Sequence, residues 1–86
     1  LDSVEVYPVP AEEEVTVLIH SQSESKAILI LSDFLGRKIK EEHVVLKTGI
    51  NRFALNWDEH ESTFYYLTID NGKEKIAKKI LRASRD

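Results

Sequence analysis

The residues best suited to chemistry in this chain are its three histidines and the acidic segment Asp58-Glu59-His60-Glu61. Carboxylate and imidazole groups can ligate divalent cations, but this segment lacks the ligand spacing of a calcium-binding loop. His20, His43 and His60 are isolated from one another along the chain, so no pair of metal-ligand type is formed. We interpret the acidic segment as a solvated turn and expect neither a metal nor another cofactor.

The sequence also lacks the motifs by which small enzymes are recognised. It has no nucleophile elbow, no glycine-rich phosphate loop and no pair of carboxylates that spacing would single out. A chain this short also has no insertion from which a cleft could be built. We therefore expect no enzymatic activity and no catalytic residue.

The composition is that of one small globular domain spanning residues 1–86. Of these 86 residues, 42% are hydrophobic and 31% are charged with mixed sign, which argues against disorder. There is no cysteine, so neither a disulfide nor a thiolate site contributes. The chain contains no methionine and begins at Leu1, so we expect it to be a fragment or a processed domain.

Charge is distributed unevenly along the chain. The net charge of −3 gives no reason to expect nucleic-acid binding. Residues 1–20 carry acidic side chains and no Lys or Arg, whereas residues 73–86 are rich in bases. The acidic residues are Asp2, Glu5, Glu12, Glu13 and Glu14; the basic ones are Lys73, Lys75, Lys78, Lys79, Arg82 and Arg85. No apolar run approaches the roughly 20 residues of a membrane-spanning helix, so we expect no membrane span.

Apolar and polar residues alternate with a period of two through most of the chain, which is the pattern of strands with one face on a core. Val15, Val17 and Ile19 show it, as do Phe53, Leu55 and Trp57. The run Ala27-Ile28-Leu29-Ile30-Leu31 has no polar face and predicts a central strand. About seven short strands spaced near ten residues apart predict an all-β, immunoglobulin-like antiparallel sandwich.

The last segment fits two structures. Ile76, Ala77, Ile80 and Leu81 would form an apolar stripe on a helix, and as a strand they alternate less well because Lys78 lies between Ile76 and Ile80. Asn71-Gly72 before it is typical of a two-residue type I′ hairpin turn. The turn and the all-β context favour a strand.

Short motifs separate these segments in a fixed order. Tyr7-Pro8-Val9-Pro10-Ala11 comes first, followed by Asp33-Phe34-Leu35-Gly36-Arg37 and by Gly49-Ile50-Asn51. Phe64-Tyr65-Tyr66-Leu67-Thr68-Ile69 and a lysine-rich end complete the series. Read individually, the first motif is a strand exit, Asp33, Gly36, Gly49 and Asn51 are turn residues, and Tyr65 is a core-facing ring.

Taken together, these motifs resemble the C-terminal sorting domain of type IX secretion system cargo. The resemblance runs from Val6 to about Leu81. The matching residues are Tyr7, Pro8, Pro10, Ala11, Asp33, Gly36, Arg37, Gly49, Asn51, Tyr65, Lys75, Lys78 and Lys79. Two positions depart from the family pattern: Val9 replaces an Asn, and Thr63 stands where a Gly precedes the tyrosine.

The resemblance implies a seven-stranded sandwich at the C-terminus of a larger exported protein. Such a domain directs its attached cargo from the periplasm through an outer-membrane translocon to the cell surface or the medium. It is then cleaved, or is retained as a docking or signalling module. The implied partners are the translocon and the surface-processing components. We expect the recognition surface to comprise Lys75, Lys78, Lys79 and Arg82; the alternative is that this basic end is simply a solvated face.

Two other roles fit the same fold. Trp57, Tyr65 and Tyr66 would form an aromatic platform for carbohydrate if their rings were exposed, and buried rings would count against it. A purely structural immunoglobulin-like spacer could lie anywhere in a parent protein, whereas a sorting domain must lie at its C-terminus. An exposed edge strand also predicts that two copies can pair as a homodimer.

Overall fold

A computed structural model describes residues 3–57 and 62–83, and all regular structure in these ranges is β. The strands are β1 (Ser3–Tyr7), β2 (Glu14–Ser21), β3 (Ser25–Ser32), β4 (Lys38–Leu46), β5 (Gly49–Asn56), β6 (Phe64–Asp70) and β7 (Lys75–Leu81). The predicted all-β fold with about seven strands is confirmed. The last segment is a strand and not a helix, as the hairpin signal favoured.

The strands form two antiparallel sheets packed as a sandwich. One sheet has the order β1-β2-β5, and the other has the order β4-β3-β6-β7. As predicted, β3 is central; its two neighbours are β4 and β6. Sheet edges are therefore formed by β1 and β5 on one side of the sandwich and by β4 and β7 on the other.

The core lies between the sheets and is built from the alternating apolar positions. Val15, Val17 and Ile19 of β2 are almost completely buried, as are Leu29 and Leu31 of β3. The remaining buried apolar residues are Val4, Ala11, Ala27, Leu46, Leu55, Trp57, Tyr65, Leu67, Ile69 and Ile80. Fully burying one such aliphatic side chain contributes about 1.5–3 kcal/mol, so this layer is the main stabilising feature of a chain without disulfides.

The turn between β6 and β7 differs from the prediction. The hairpin is present, but Asn71 and Gly72 are not its two central residues. Asn71 N–H donates to the Glu74 carbonyl at 3.1 Å, which places Gly72 and Lys73 at the tip. The Asn71 Oδ1 accepts hydrogen bonds from the N–H groups of Lys73 and Glu74, so the side chain caps the turn that it precedes.

Two edge strands carry charged residues at positions that face the core layer. On β4, Lys40 and Glu42 lie opposite the buried Leu31 and Leu29, and on β7 Lys78 lies opposite the buried Leu67. Inward-pointing charges on an edge discourage pairing with a second sheet. Within residues 3–57 and 62–83, no helix is long and apolar enough to cross a membrane.

Candidate recognition surface

The structure separates the predicted basic recognition residues between two faces and one end of β7. Lys75 and Lys79 lie on the outer face of the four-stranded sheet, and Lys78 lies on the opposite face with Ile76 and Ile80. Arg82 follows the strand, is half-buried, and donates its N–H to the Thr63 carbonyl at 3.2 Å. The four residues therefore do not form a single patch.

The backbone of β7 has one side bound to β6 and one side open. Main-chain hydrogen bonds pair Asn71 with Glu74 at one end of the hairpin and Arg82 with Thr63 at the other. Hydrogen-bonded pairs alternate in an antiparallel ladder, so even-numbered residues of β7 face β6 and odd-numbered residues face outward. The N–H and C=O groups of Lys75, Ala77 and Lys79 therefore point away from the sheet. We call these groups the open edge.

A single residue of the first motif closes the end of this edge. Ala11 N–H donates to the Leu81 carbonyl at 2.8 Å, and its own carbonyl accepts from Ala83 N–H at 2.6 Å. This parallel bridge to Arg82 belongs to the four-stranded sheet, although β1 and β2 on either side of Ala11 belong to the other sheet. Ala11 is completely buried at this crossing. We call the pairing of Ala11 with residues 81–83 the Ala11 clasp.

The other residues of that motif lead the chain across. Tyr7 ends β1, and the peptide bonds before Pro8 and Pro10 are both cis. Tyr7, Pro8 and Pro10 are exposed. Their place in the fold is the excursion from one sheet to the other, with Ala11 as its buried point.

Asp33 organises the turn of the second motif. Its carboxylate accepts hydrogen bonds from the N–H groups of Leu35 and Arg37 at 2.9 Å and from Arg37 Nε at 2.8 Å. Burial acts to raise the pKa of Asp33, but the hydrogen bonds from Arg37 and Leu35 outweigh it and hold the pKa below the ordinary 3.8. Gly36 completes the turn by donating its N–H to the Asp33 carbonyl. The predicted turn residues Asp33, Gly36 and Arg37 thus act as one unit.

Asn51 has the corresponding position in the third motif. Its side chain bonds both main-chain groups of Lys47 and also donates to the carbonyl of Ile19 on β2. Gly49 opens β5 with a φ of 103°, a backbone conformation that L side chains rarely adopt. Both residues hold the β4–β5 turn against the three-stranded sheet.

Tyr65 lies in the core, as predicted from its alternation with Leu67 and Ile69. Its ring stacks on Trp57 with centroids 4.5 Å apart and planes inclined by 18°. Both residues are almost fully buried, so neither ring is available to a ligand. This burial counts against the predicted carbohydrate platform, since of its three rings only that of Tyr66 is exposed.

The sequence did not lead us to expect a partly exposed aromatic cluster on the outer face of the four-stranded sheet. Phe34 and Phe64 meet edge to face at 6.4 Å, and Phe64 and Tyr66 do so at 5.3 Å. The Lys79 ammonium lies 4.2 Å from the centroid of the Phe64 ring. Because Phe64 and Tyr66 flank the inward Tyr65, their alternation could have indicated an aromatic outer face. The contribution of Phe34 depends on a bond between its N–H and the Ser62 hydroxyl, 28 residues away.

The two described histidines lie on strands of different sheets. His20 lies on β2, whereas His43 on β4 lies 2.7 Å from a carboxylate oxygen of Glu41. Side-chain hydrogen bonds from Lys38 and His43 lower the pKa of Glu41. Among the residues with assigned positions, no group of three or more His, Cys, Asp or Glu side chains could hold a metal. The acidic segment of residues 58–61, which includes His60, lies outside them.

Comparison with known proteins identifies a family model that matches this chain. The family model described as the secretion system C-terminal sorting domain matches residues 5–82. No curated protein is similar enough to count as a relative. The matched range begins within β1 and ends at Arg82, so it includes the four motifs between Tyr7 and Ile69 and all of β7. Members of this family act as sorting signals for export by the type IX system to the cell surface or the medium. This chain therefore belongs to the family of secretion system C-terminal sorting domains.

Proposed function

We propose that residues 1–86 form one domain at the C-terminus of an exported protein. The translocon recognises this domain in its folded form, chiefly through contacts with β7. The domain passes from the periplasm across the outer membrane with its cargo, and it catalyses no reaction. The observation that carries this proposal is the coincidence of the family match with a terminal strand that is basic and open along its edge.

Charge supports β7 as the recognised element. The three lysines are exposed, and residues 75–79 include no acidic side chain. A positive strand on an otherwise acidic domain accelerates encounter with a negative partner surface and disfavours encounters with positive ones. Arg82 is half-buried beside the Ala11 clasp, so we assign it to the end of the strand and not to the contact surface.

The fold supports a conformational signal. Ile80 is completely buried and lies opposite Tyr65, so β7 contributes to the core as well as to the surface. A basic peptide without the sandwich would lack both the open edge and the fixed orientation of its lysines. We therefore expect recognition to require the folded domain.

A reporter assay tests this function. The chain is placed behind a signal peptide and a fluorescent protein in a host with a working type IX system. The variant Lys75→Glu, Lys78→Glu, Lys79→Glu is compared with the matched variant Lys26→Glu, Lys47→Glu, Arg52→Glu, in which exposed bases away from β7 undergo the same change of charge. We expect the β7 variant to leave folded reporter in the periplasm and the matched variant to be exported.

Two results would contradict the proposal. Wild-type reporter that stays in the periplasm would show that the chain is not an export signal and would favour a retained docking module. Export of the β7 variant at the wild-type level would remove the basic strand from the recognition surface. Circular dichroism of the purified chains serves as the control for whether each variant is folded.

A further inference from the structure

We propose that the open edge of β7 binds an extended acidic segment of a partner protein as an added β-strand. Two carboxylates of this segment face Lys75 and Lys79, and a bulky apolar side chain lies over Ala77 between them. The inference deepens the proposed function, on which its physiological setting rests, but its binding test does not depend on export.

The backbone provides the first part of the argument. On the open edge, Lys75, Ala77 and Lys79 each present one N–H and one C=O in strand geometry, and none of these groups has a main-chain partner within residues 3–57 and 62–83. Such a row is a template for strand addition, in which main-chain hydrogen bonds supply affinity. Leu81 ends the row because its carbonyl is already bound by Ala11. The Ala11 clasp therefore limits the added strand to the stretch opposite residues 75–80.

The side chains set the chemistry of the partner. The residues that bond outward also carry their side chains on the outer face, so the partner residues directly opposite them share that face. The outer face of β7 reads Lys75, Ala77, Lys79, which requires an acid, an apolar residue and an acid at every second position. This pattern is the same in either direction, and it suits both parallel and antiparallel addition.

Neighbouring side chains orient Lys79 and leave room beside Ala77 on this face. The Phe64 ring holds the Lys79 ammonium on the outer face, which reduces the entropy lost when a carboxylate binds there. Ala77 is exposed between the two lysines, with Thr68 opposite it and Tyr66 on the diagonal, so a large apolar side chain finds both room and an aromatic neighbour. The inward Lys78 disfavours pairing with an apolar strand of another sheet.

Binding of synthetic peptides tests the proposal directly. The probe is Thr-Glu-Thr-Phe-Val-Glu-Thr, and the controls are a scrambled peptide of the same composition and Thr-Lys-Thr-Phe-Val-Lys-Thr. Affinity is measured by titration calorimetry, and amide hydrogen exchange is measured by NMR on the full chain. We expect the acidic probe alone to bind and to slow exchange at the amides of Lys75, Ala77 and Lys79, with little change at the even-numbered residues of β7.

Ala77→Pro is the decisive variant. The Ala77 N–H faces outward, so proline there removes an edge donor without removing a bond to β6, and proline is tolerated on edge strands. We expect affinity for the probe to fall about tenfold or more, as loss of a main-chain hydrogen bond with steric blocking would produce. Ala77→Ser keeps the donor and is expected to bind. Thermal unfolding of both variants establishes that they are folded.

Several outcomes would overturn the inference. Equal binding of the acidic and basic probes, uniform exchange protection, or full affinity in Ala77→Pro would each exclude an acidic strand on this edge. A wild-type chain that dimerises in sedimentation experiments while Ala77→Pro stays monomeric would assign the edge to a second copy. Failure of reporter export with intact probe binding would refute the proposed function and leave the binding site standing.

Discussion

At the scale of single residues, Ala11 and Asp33 each hold one part of the fold together. Ala11 joins the first motif to the end of β7 through two main-chain hydrogen bonds, and it does so in a space with no exposure to solvent. Asp33 closes its turn with one carboxylate that accepts three hydrogen bonds. Each residue gives a testable consequence.

Enlarging Ala11 should destabilise the fold. Ala11→Leu adds three carbons to a fully buried position, and such overpacking costs about 1–3 kcal/mol. We expect the urea midpoint to fall with little change in the slope of the transition. Glu12→Leu, at the exposed neighbouring position, is the control. An unchanged midpoint in Ala11→Leu would mean that the Ala11 clasp is loose in solution.

The Asp33 turn should make the thermal stability of the fold depend on pH. The folded-state pKa of Asp33 is lowered, so the carboxylate stabilises the fold fully above its ordinary value of 3.8 and loses this effect as the pH falls through the folded pKa. The thermal midpoint of the wild type should therefore exceed that of Asp33→Asn at neutral pH, and the difference should shrink below pH 3.8. Glu24→Gln, at an exposed position between β2 and β3, controls for the loss of a carboxylate. A difference that is constant with pH would contradict the ionic role.

At the scale of elements, β7 has an open backbone edge and also an inward-pointing lysine that discourages unwanted strand pairing. Its backbone is open along residues 75–79, yet its core-facing row is interrupted by Lys78 between Ile76 and Ile80. The same strand can thus accept a charged partner strand and still resist pairing with copies of itself.

Removing the inward charge should promote self-association. Lys78→Val would make the core-facing row of β7 continuously apolar and leave the open edge unprotected. We expect light scattering to show dimers or larger species that grow with concentration. Lys47→Val changes an exposed lysine outside the strand and should stay at the wild-type mass. If Lys78→Val also remains at that mass, Lys78 does not prevent self-association through the edge of β7.

At the scale of the whole molecule, the strand that we propose as the recognised element also contributes to the core. Ile80 packs opposite Tyr65, which stacks on Trp57, so the terminal strand reaches the centre of the sandwich. A domain of this size buries a smaller fraction of its surface on folding than a larger domain does, so its stability is marginal. We therefore expect changes that remove β7 to affect the proposed recognition and the stability of the fold together.

Truncation after Gly72 should abolish folding and not just recognition. It removes β7, uncovers β6 and deletes the buried Ile80, a loss of several kcal/mol in a domain whose total stability is about 5–15 kcal/mol. We expect the truncated chain to lose its cooperative thermal transition in circular dichroism. The full chain with Ile80→Val should keep a transition at a slightly lower midpoint. A cooperative transition in the truncated chain would show that six strands suffice.

Much of the fold was predictable because its signals are local. Alternation over Val15–Ile19 and Phe53–Trp57 identified strands and their buried faces, and Asp33, Gly36, Gly49 and Asn51 marked turns by their own conformational preferences. The type and order of the elements, and the family that the motifs resemble, followed from neighbours in the chain.

The rest depended on partners distant in sequence. Whether residues 75–81 form a strand was decided by pairing with β6, since their own pattern also suits a helix. The faces of Lys75, Lys78 and Lys79, the central residues of the hairpin and the aromatic cluster followed from register and from hydrogen bonds. Local residue patterns were enough to predict the all-β class and the basic end of the chain. That Ala11 closes this end and leaves an edge of β7 open could be seen only in the folded molecule, because main-chain pairing between distant segments has no local signature.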